Sequence, residues 1–406
     1  MLCQFGFKNF NSYREETVFD FQASELVEFK DSLIETVAAS PLLPVSVLYG
    51  PNGSGKSNLL KALACVISLV VRPVVELDKT RTAYIFNQKV SPVPFAFDPA
   101  CSSEPTEFNL FFRIASNEYR YYIAILKDEI VSESLYRKAV TGRRSAMIFE
   151  RERNEITLGP SVNRKSINRE VNPKMPYLSF LAINYNIPVI AEVQAWFESC
   201  IVRNYANPQI ENSIMLPAVD DEDSRKLRDS YIAALNEMGI DITGYRYDAD
   251  RREIYVKRTV HGAIYELPFD EESDGIKKLF AALPVIMIAL TEGRLIIIDE
   301  LDSKLHPKLL RYVISLFTNR RINKKGAQLL FTSHDISTMR KEIFRRDEIW
   351  FAALNEDHSS ELYSLFDIRD EKNQHIPHTT AYDKQYLEGR YGADPYLRTI
   401  LDWEAI

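Results

Sequence analysis

Alternation of apolar and polar positions, the period of a half-buried β-strand, dominates the first part of the chain. Residues 2–21 alternate in this way and predict a β-hairpin. Runs rich in aromatic and β-branched residues follow, and the pairs Ser116-Asn117 and Lys127-Asp128 between them have the chemistry of tight turns. We therefore expect an antiparallel meander and one further hairpin, over residues 107–115, 119–126, 130–137 and 147–158.

The pattern changes near residue 165, where helical periodicity replaces alternation. Amphipathic helices are predicted over residues 187–202 and 220–238. Strands follow over 242–269, and then a long helix over 275–290. Two later runs, 295–298 and 329–331, are continuously apolar, as are parallel strands that helices cover on both faces. These patterns predict a mixed α/β protein with an antiparallel β-rich first lobe, an inserted helical lobe and a second α/β lobe, over residues 1–164, 165–240 and 241–406.

Composition excludes several classes of protein. The chain has 406 residues, 46% hydrophobic and 26% charged, which is typical of one large or two closely joined globular domains. Its four scattered cysteines form no CxxC pair and argue against a disulfide framework or a zinc site. We find no apolar run of membrane-spanning length and no signal-peptide pattern. We therefore expect a soluble, cytoplasmic protein with no membrane partner.

The charge balance does not favour nucleic acid as a general partner. The formal net charge is −7, whereas binding through phosphate neutralisation needs an excess of basic residues. A small basic patch lies at Arg143-Arg144 and Arg151–Arg153, and a solvated hairpin is its simpler interpretation.

The segment GPNGSGKS, from Gly50 to Ser57, matches the phosphate-loop pattern GxxxxGK[ST] in full. It lies between a predicted strand, 45–49, and a predicted helix that begins near Asn58. In such a loop, backbone N–H groups and the helix N-terminus surround the phosphates of a nucleotide. Lys56 should reach the β- and γ-phosphates, and the Ser57 hydroxyl should bind Mg²⁺. The candidate nucleotide-binding residues here are Asn52, Gly53, Ser54, Gly55, Lys56 and Ser57.

Two carboxylates and a histidine follow the two apolar strands. Asp299 and Glu300 end the strand that begins at residue 295, at the edge where open α/β sheets bind ligands. Asp299 is expected to hold Mg²⁺, and Glu300 to polarise the attacking water as a general base. His334 follows the next apolar strand, one helix beyond the acid pair, where a lone histidine is more often structural than catalytic.

The phosphate loop, acid pair and histidine in this order resemble the ABC ATPase superfamily, in its RecF/SMC/OLD-like branch. The resemblance implies a P-loop ABC-type head that binds ATP with Mg²⁺ and pairs head to tail with a second copy. It also implies that His334 is the catalytic histidine that senses the γ-phosphate. Each copy's signature loop would then contact the ATP of the other, and the segment SDGIK supplies Ser273, Gly275 and Lys277 for that role. It departs from the transporter form LSGGQ. Leu301–Ser303 resembles the D-loop, and Gln88 is a candidate for the glutamine loop.

Three further segments narrow the resemblance: Phe7–Ser12, Arg346–Phe351 and Tyr386–Gly392. They resemble standalone ATPases of prokaryotic antiphage-defence modules, such as the RloA-like proteins and the AriA subunit of PARIS. The resemblance implies a sensor or scaffold that answers a phage-derived trigger in abortive infection and controls a separate effector, a nuclease or a toxin. Region 165–240 has no catalytic motif and is the candidate partner-binding lobe.

Two other functions stay open. A RecF-like ATPase of DNA repair is the main alternative, and the soluble ATPase subunit of a transporter fits less well because of the altered signature. Without sustained heptads between phosphate loop and signature, a long SMC-type coiled coil is excluded. The resemblance implies that fused OLD nucleases carry a TOPRIM domain after this histidine. The 72 residues that follow His334 are too few for such a domain, so we expect no fused TOPRIM nuclease. Asp248-Ala249-Asp250 is interpreted as a solvated turn rather than a metal pair.

Overall fold

A computed structural model describes residues 1–36, 39–78, 91–162, 166–205, 222–248, 250–251, 253–370 and 372–393. Two large sheets, with helices between and around them, make up most of this part of the chain. The mixed α/β class predicted from the sequence is therefore confirmed.

The first sheet is antiparallel and has seven strands, in the order β10-β9-β8-β7-β6-β1-β2. Positive φ angles close its meander turns. They occur at Ala115, beside the pair Ser116-Asn117, and at the pair Lys127-Asp128 itself. The predicted hairpins and meander are confirmed. The strands are β1 (Leu2–Lys8), β2 (Thr17–Asp20), β6 (Thr106–Ile114), β7 (Asn117–Leu126), β8 (Glu129–Ala139), β9 (Ala146–Glu152) and β10 (Glu155–Leu158).

The central sheet has six strands in the order β11-β15-β16-β5-β17-β18, and all neighbours are parallel except the last pair. The two predicted apolar strands, β15 and β16, are buried along their whole length. The strands are β5 (Val45–Tyr49), β11 (Ile201–Asn204), β15 (Leu295–Asp299), β16 (Gln328–Thr332), β17 (Ile349–Leu354) and β18 (Ser360–Ser364).

Seven α-helices lie in the described part of the chain: α1 (Lys56–Leu77), α2 (Tyr177–Asn184), α3 (Pro188–Ser199), α4 (Glu222–Glu237), α5 (Asp274–Glu292), α6 (Pro307–Thr318) and α7 (Tyr382–Leu387). Helix α1 shares one hydrophobic core with the antiparallel sheet and with one face of the central sheet. Helices α5 and α6 share a second core with the opposite face. The central sheet is thus covered on both faces, which explains its continuously apolar strands.

By length and composition alone, α1 could cross a membrane. Its apolar stretch is 67% buried, however, because it packs between the two sheets. The expectation of no membrane-length apolar run is therefore wrong for this helix. Its burial in the protein core explains the apolar composition.

The region 165–240 departs in detail from the predicted pattern. The helix predicted over 187–202 ends at Ser199, and the β-branched residues after it form β11, which pairs with β15. Helix α2 was not predicted. Both α2 and α3 pack on α1. Residues 206–221 lie outside the described part, and the three-lobe division stays a prediction.

A three-stranded antiparallel sheet precedes α5: β12 (Gly244–Asp248), β13 (Glu253–Val260) and β14 (Ala263–Pro268). It packs with α4 and the start of α5 in a third, small core. Asp248 Oδ1 accepts hydrogen bonds from the backbone N of Asp250 (3.2 Å) and Arg251 (3.1 Å), as a turn requires. A short hairpin of β3 (Ile34–Thr36) and β4 (Ala39–Leu42) completes the strands.

Candidate active site

The phosphate-loop segment connects β5 to α1 as predicted and depends on three glycines with positive φ. These angles are 143° at Gly50, 81° at Gly53 and 104° at Gly55. A Cβ atom on Gly50 would overlap the carbonyl oxygen of Ala352 in the neighbouring strand. Side chains rarely adopt this backbone conformation, so glycine is required for the turn that presents the loop's N–H groups.

Lys56 lies inside the loop, 6% exposed, and its Nζ donates to the carbonyl oxygens of Gly50 (2.8 Å) and Pro51 (2.9 Å). Burial lowers the pKa of this amine to about 8. The Ser54 hydroxyl is fully buried and has no hydrogen-bond partner among the described residues. A phosphate oxygen in the loop would pair with the Lys56 amine and the Ser54 hydroxyl, so the loop residues fit a nucleoside triphosphate.

Asp299 lies at the carboxyl end of β15, beside the first turn of α1. Its Oδ1 accepts hydrogen bonds from the hydroxyls of Ser57 (3.1 Å) and Thr332 (2.7 Å). The same Thr332 hydroxyl accepts a hydrogen bond from the backbone N of Glu300 (2.7 Å), whose φ is 54°. The buried Thr332 therefore binds both members of the acid pair, Asp299 and Glu300. Thr332 was not among the residues predicted from the sequence.

The hydroxyl of Ser57 and the carboxylate of Asp299 are hard oxygen ligands of the kind that Mg²⁺ prefers. No group of three histidine, cysteine, aspartate or glutamate side chains that could hold a metal occurs in the described part of the chain. Mg²⁺ in phosphate sites commonly takes one or two carboxylates and completes its shell with phosphate oxygens and water. The 3.1 Å contact between Ser57 and Asp299 therefore fits a Mg²⁺ site that needs the nucleotide.

His334 follows β16, exposed, at the rim of a cavity of about 360 Å³. Its backbone N donates to Oδ2 of Asp302 (2.8 Å), which links the histidine to the loop after the acid pair. The cavity brings His334 and the phosphate loop together with the C-terminal motif of the sequence; its lining includes Gly50, Pro51, Asn52, Ser333, His334, Tyr386 and Leu387.

The signature residues have contacts of a different kind. Ser273 is the exposed residue before α5, and a Cβ on Gly275 would lie 2.8 Å from the carbonyl oxygen of Lys304. Lys277 Nζ donates to the carbonyl oxygen of Asp270 (2.7 Å). These contacts run to Lys304, in the loop after Glu300, and to Asp270, just before α5.

Lys278, the residue after Lys277, was not predicted from the sequence to be a site residue. It is fully buried, and its Nζ donates to the carbonyl oxygens of Glu300 and Ser303, both at 2.7 Å. The amine lies over the ring of Tyr205, 5.2 Å from its centroid. Lys278 thus fixes the loop after Glu300 to α5, the helix that begins within the signature segment.

The N-terminal motif supports the start of α1. The Ser12 hydroxyl accepts hydrogen bonds from Asn58 Nδ2 (2.8 Å) and the Ser360 hydroxyl (2.7 Å), and Tyr13 donates to the carbonyl oxygen of Gly55 (3.3 Å). Only the fold brings these residues together, because they come from three distant segments. Gln88, the candidate glutamine-loop residue, lies outside the described residues.

The chain is similar to a protein family and, weakly, to solved structures of Smc heads. A protein-family model described as "AAA domain, putative AbiEii toxin, Type IV TA system" matches residues 45–340. No curated protein matches the chain. A solved Smc head bound to the C-terminal winged-helix domain of ScpA is 13% identical, with TM-score 0.44, covering 91% of this chain and 98% of its own. A Smc head with coiled coil and joint from Pyrococcus yayanosii is 11% identical, with TM-score 0.38, covering 96% and 99%.

The family match spans the phosphate loop, the acid pair and His334. Together with a mostly parallel central sheet whose strand ends carry these residues, it confirms the predicted P-loop ABC-type α/β fold. The chain therefore belongs to the AAA-domain family associated with AbiEii-type toxin systems, and at the level of that family it is a P-loop ATPase.

Proposed function

We propose that this protein hydrolyses ATP between two copies of the chain arranged head to tail. The proposal rests on the separation of two groups of site residues within one chain: the phosphate and metal ligands, and the signature segment. Ser57 and Asp299 meet at 3.1 Å. In the signature segment, Ser273 is exposed, while Gly275 lies against Lys304 and Lys277 donates to Asp270. One chain therefore offers a complete cradle for phosphate and metal, and an exposed signature that a second chain's nucleotide can use.

Each residue has a distinct role in this proposal. Lys56 neutralises the β- and γ-phosphates. Ser57 and Asp299 would hold Mg²⁺, which would supply positive charge to offset that of the phosphates. Glu300 orients the attacking water and takes its proton. His334, exposed beside the loop, donates to the γ-phosphate.

The contacts around the acid pair suggest how hydrolysis becomes a switch. Lys278 holds the carbonyl groups of Glu300 and Ser303, and Asp302 of the same loop accepts from the backbone of His334. A change at the γ-phosphate therefore reaches the signature helix through a few hydrogen bonds. ATP would favour the closed pair, and its loss would favour the open one.

We further propose that the switch belongs to a cytoplasmic antiphage module of the abortive-infection kind and controls a separate effector, a nuclease or toxin. The family description, which names an AbiEii-type toxin system, supports this proposal. The segments 7–12 and 386–392, which carried the resemblance to defence ATPases, both lie at the candidate site.

Glu300→Gln tests both parts. The variant should bind ATP, lose turnover and accumulate as a dimer in light scattering, and wild-type turnover would contradict the role of Glu300. Affinity purification of the tagged variant with ATP from its native host, followed by mass spectrometry, should recover a nuclease-like or toxin-like partner. Recovery of DNA with repair proteins, and of no effector, would instead support the RecF-like alternative.

A further inference from the structure

An exposed aromatic pair lies beside the candidate site and is not used by the proposed chemistry. Phe97 is 71% exposed, and its ring centroid is 5.6 Å from that of His358, which is also exposed. Behind it, the buried Phe95 ring packs at 5.7 Å, with an interplanar angle of 74°. Together the two exposed rings present an aromatic surface on which a flat ligand can pack.

The pair lies close to the start of α1. His358 is two residues before Ser360, whose hydroxyl donates to Ser12 and lies against Gly55 of the phosphate loop. Ser12 also accepts from Asn58, in the first turn of α1. A nucleotide whose phosphates occupy the loop can direct its nucleoside out past these polar groups, towards the two rings.

The segment that carries Phe97 is held in place by the N-terminal motif. The backbone N of Phe95 donates to Oδ1 of Asn9 (2.9 Å), and the backbone N of Asn11 donates to the carbonyl oxygen of Val93 (2.7 Å). Asn9 is fully buried and its Nδ2 donates to the carbonyl oxygen of Cys101 (2.8 Å). The ring is therefore preorganised, which lowers the entropic cost of binding a flat ligand.

Arg14 joins the two loops that carry the rings. Its guanidinium forms ion pairs with Asp98, next to Phe97, at 2.9 Å, and with Asp357, next to His358, at 3.6 Å. The arginine side chain is 40% exposed. Both carboxylates are thus partly neutralised, and the rings keep their spacing.

We propose that Phe97, flanked by the His358 ring at an angle of 45°, forms a stacking platform for the nucleobase of the nucleotide whose phosphates the loop 50–57 holds. This inference rests on the proposed ATP binding. Aromatic faces stack on nucleobases, and the contact is largest for purines because they have the larger ring system. The platform gives base recognition to two loops far apart in sequence, outside the ATPase motifs.

The test compares ATP with inorganic tripolyphosphate, both with Mg²⁺, by calorimetric titration. Phe97→Ala should weaken ATP binding about tenfold, as expected for loss of one base-stacking ring. Tripolyphosphate has no base and should bind the variant as tightly as wild type. Phe97→Tyr keeps the ring and should bind ATP like wild type. Tyr265→Ala removes another exposed aromatic ring, 55% exposed, from β14 and is the matched control, with no change expected.

Unchanged ATP affinity in Phe97→Ala would overturn the platform, while leaving the proposed ATPase intact. An equal loss for ATP and tripolyphosphate would also overturn it, because the ring would then support only the phosphate loop. If wild type bound neither probe, the proposed function would fail, and the platform with it. Because Phe97 is mostly exposed, thermal unfolding of the alanine variant should match wild type.

Discussion

Replacement of Thr332 by valine removes the hydroxyl that joins the two carboxylate residues of the site. Valine has nearly the same shape, so the change tests the hydrogen bonds rather than the packing. The Thr332 hydroxyl donates to Asp299 Oδ1 and accepts from the backbone N of Glu300, both at 2.7 Å, and its side chain is 1% exposed. Both bonds are lost together.

The expected cost follows from these two bonds. A hydrogen bond to a charged group contributes about 1.5–3 kcal/mol, and an unpaired buried N–H costs about 1–3 kcal/mol. Because the N–H of Glu300 is only partly buried, we expect Thr332→Val to lower the free energy of unfolding by about 2–4 kcal/mol. The Glu300 backbone, with φ of 54°, also loses its restraint, and turnover should fall at least ~100-fold, as for a misplaced catalytic group.

Urea unfolding and steady-state ATP turnover measure the two effects. Thr332→Ser keeps the hydroxyl and should retain most turnover, with a loss of stability from the missing methyl group. Thr291→Val is the control, because that exposed hydroxyl bonds only to carbonyl groups of its own helix, and it should change stability by less than ~0.5 kcal/mol. Wild-type stability and turnover in Thr332→Val would refute the arrangement described for the acid pair.

Three other predictions follow from buried charges. Because burial lowers the pKa of Lys56 to about 8, ATP affinity should fall about fivefold between pH 8 and 9, where the neutral amine must take up a proton to bind; calorimetry at constant ionic strength measures this. Lys278→Met should lower the unfolding temperature by several degrees and reduce turnover, whereas Lys277→Met, next to it but bonded at the surface, should leave the unfolding temperature unchanged; equal effects would contradict the buried role of Lys278. Burial raises the pKa of Glu348 from 4.5 to about 8, so the unfolded chain ionises first and stability should fall as pH rises through this range. Glu348→Gln should remove that part of the pH dependence in chemical unfolding, and parallel curves for the two proteins would contradict it.

The sequence predicted those parts of the fold whose signal is local. Alternation and turn residues predicted the antiparallel sheet, and continuous apolar runs predicted β15 and β16. The helix predicted over 187–202 was too long because Ile201 and Val202 continue its apolar run. Only pairing with β15 makes them a strand, and no local pattern reports that pairing.

The candidate site shows the same limit. Motif spacing identified the phosphate loop and the acid pair, because their chemistry needs fixed neighbours along the chain. Thr332 and Lys278 act through contacts with residues 22 to 33 positions away, and threonine or lysine at such positions is common in any sequence. Ser12 lies 348 positions from Ser360, so only the folded chain shows that they meet beside the phosphate loop.

Mixing two inactive variants tests most directly whether each ATP site is shared between two copies. Lys56→Ala disables the phosphate loop and Ser273→Arg blocks the signature, so each variant alone should lack turnover. In a mixed dimer, one site combines both defects and the other combines an intact loop with an intact signature. Random pairing should therefore restore about a quarter of the wild-type rate. A mixture that stays as inactive as its separate components would contradict the shared site.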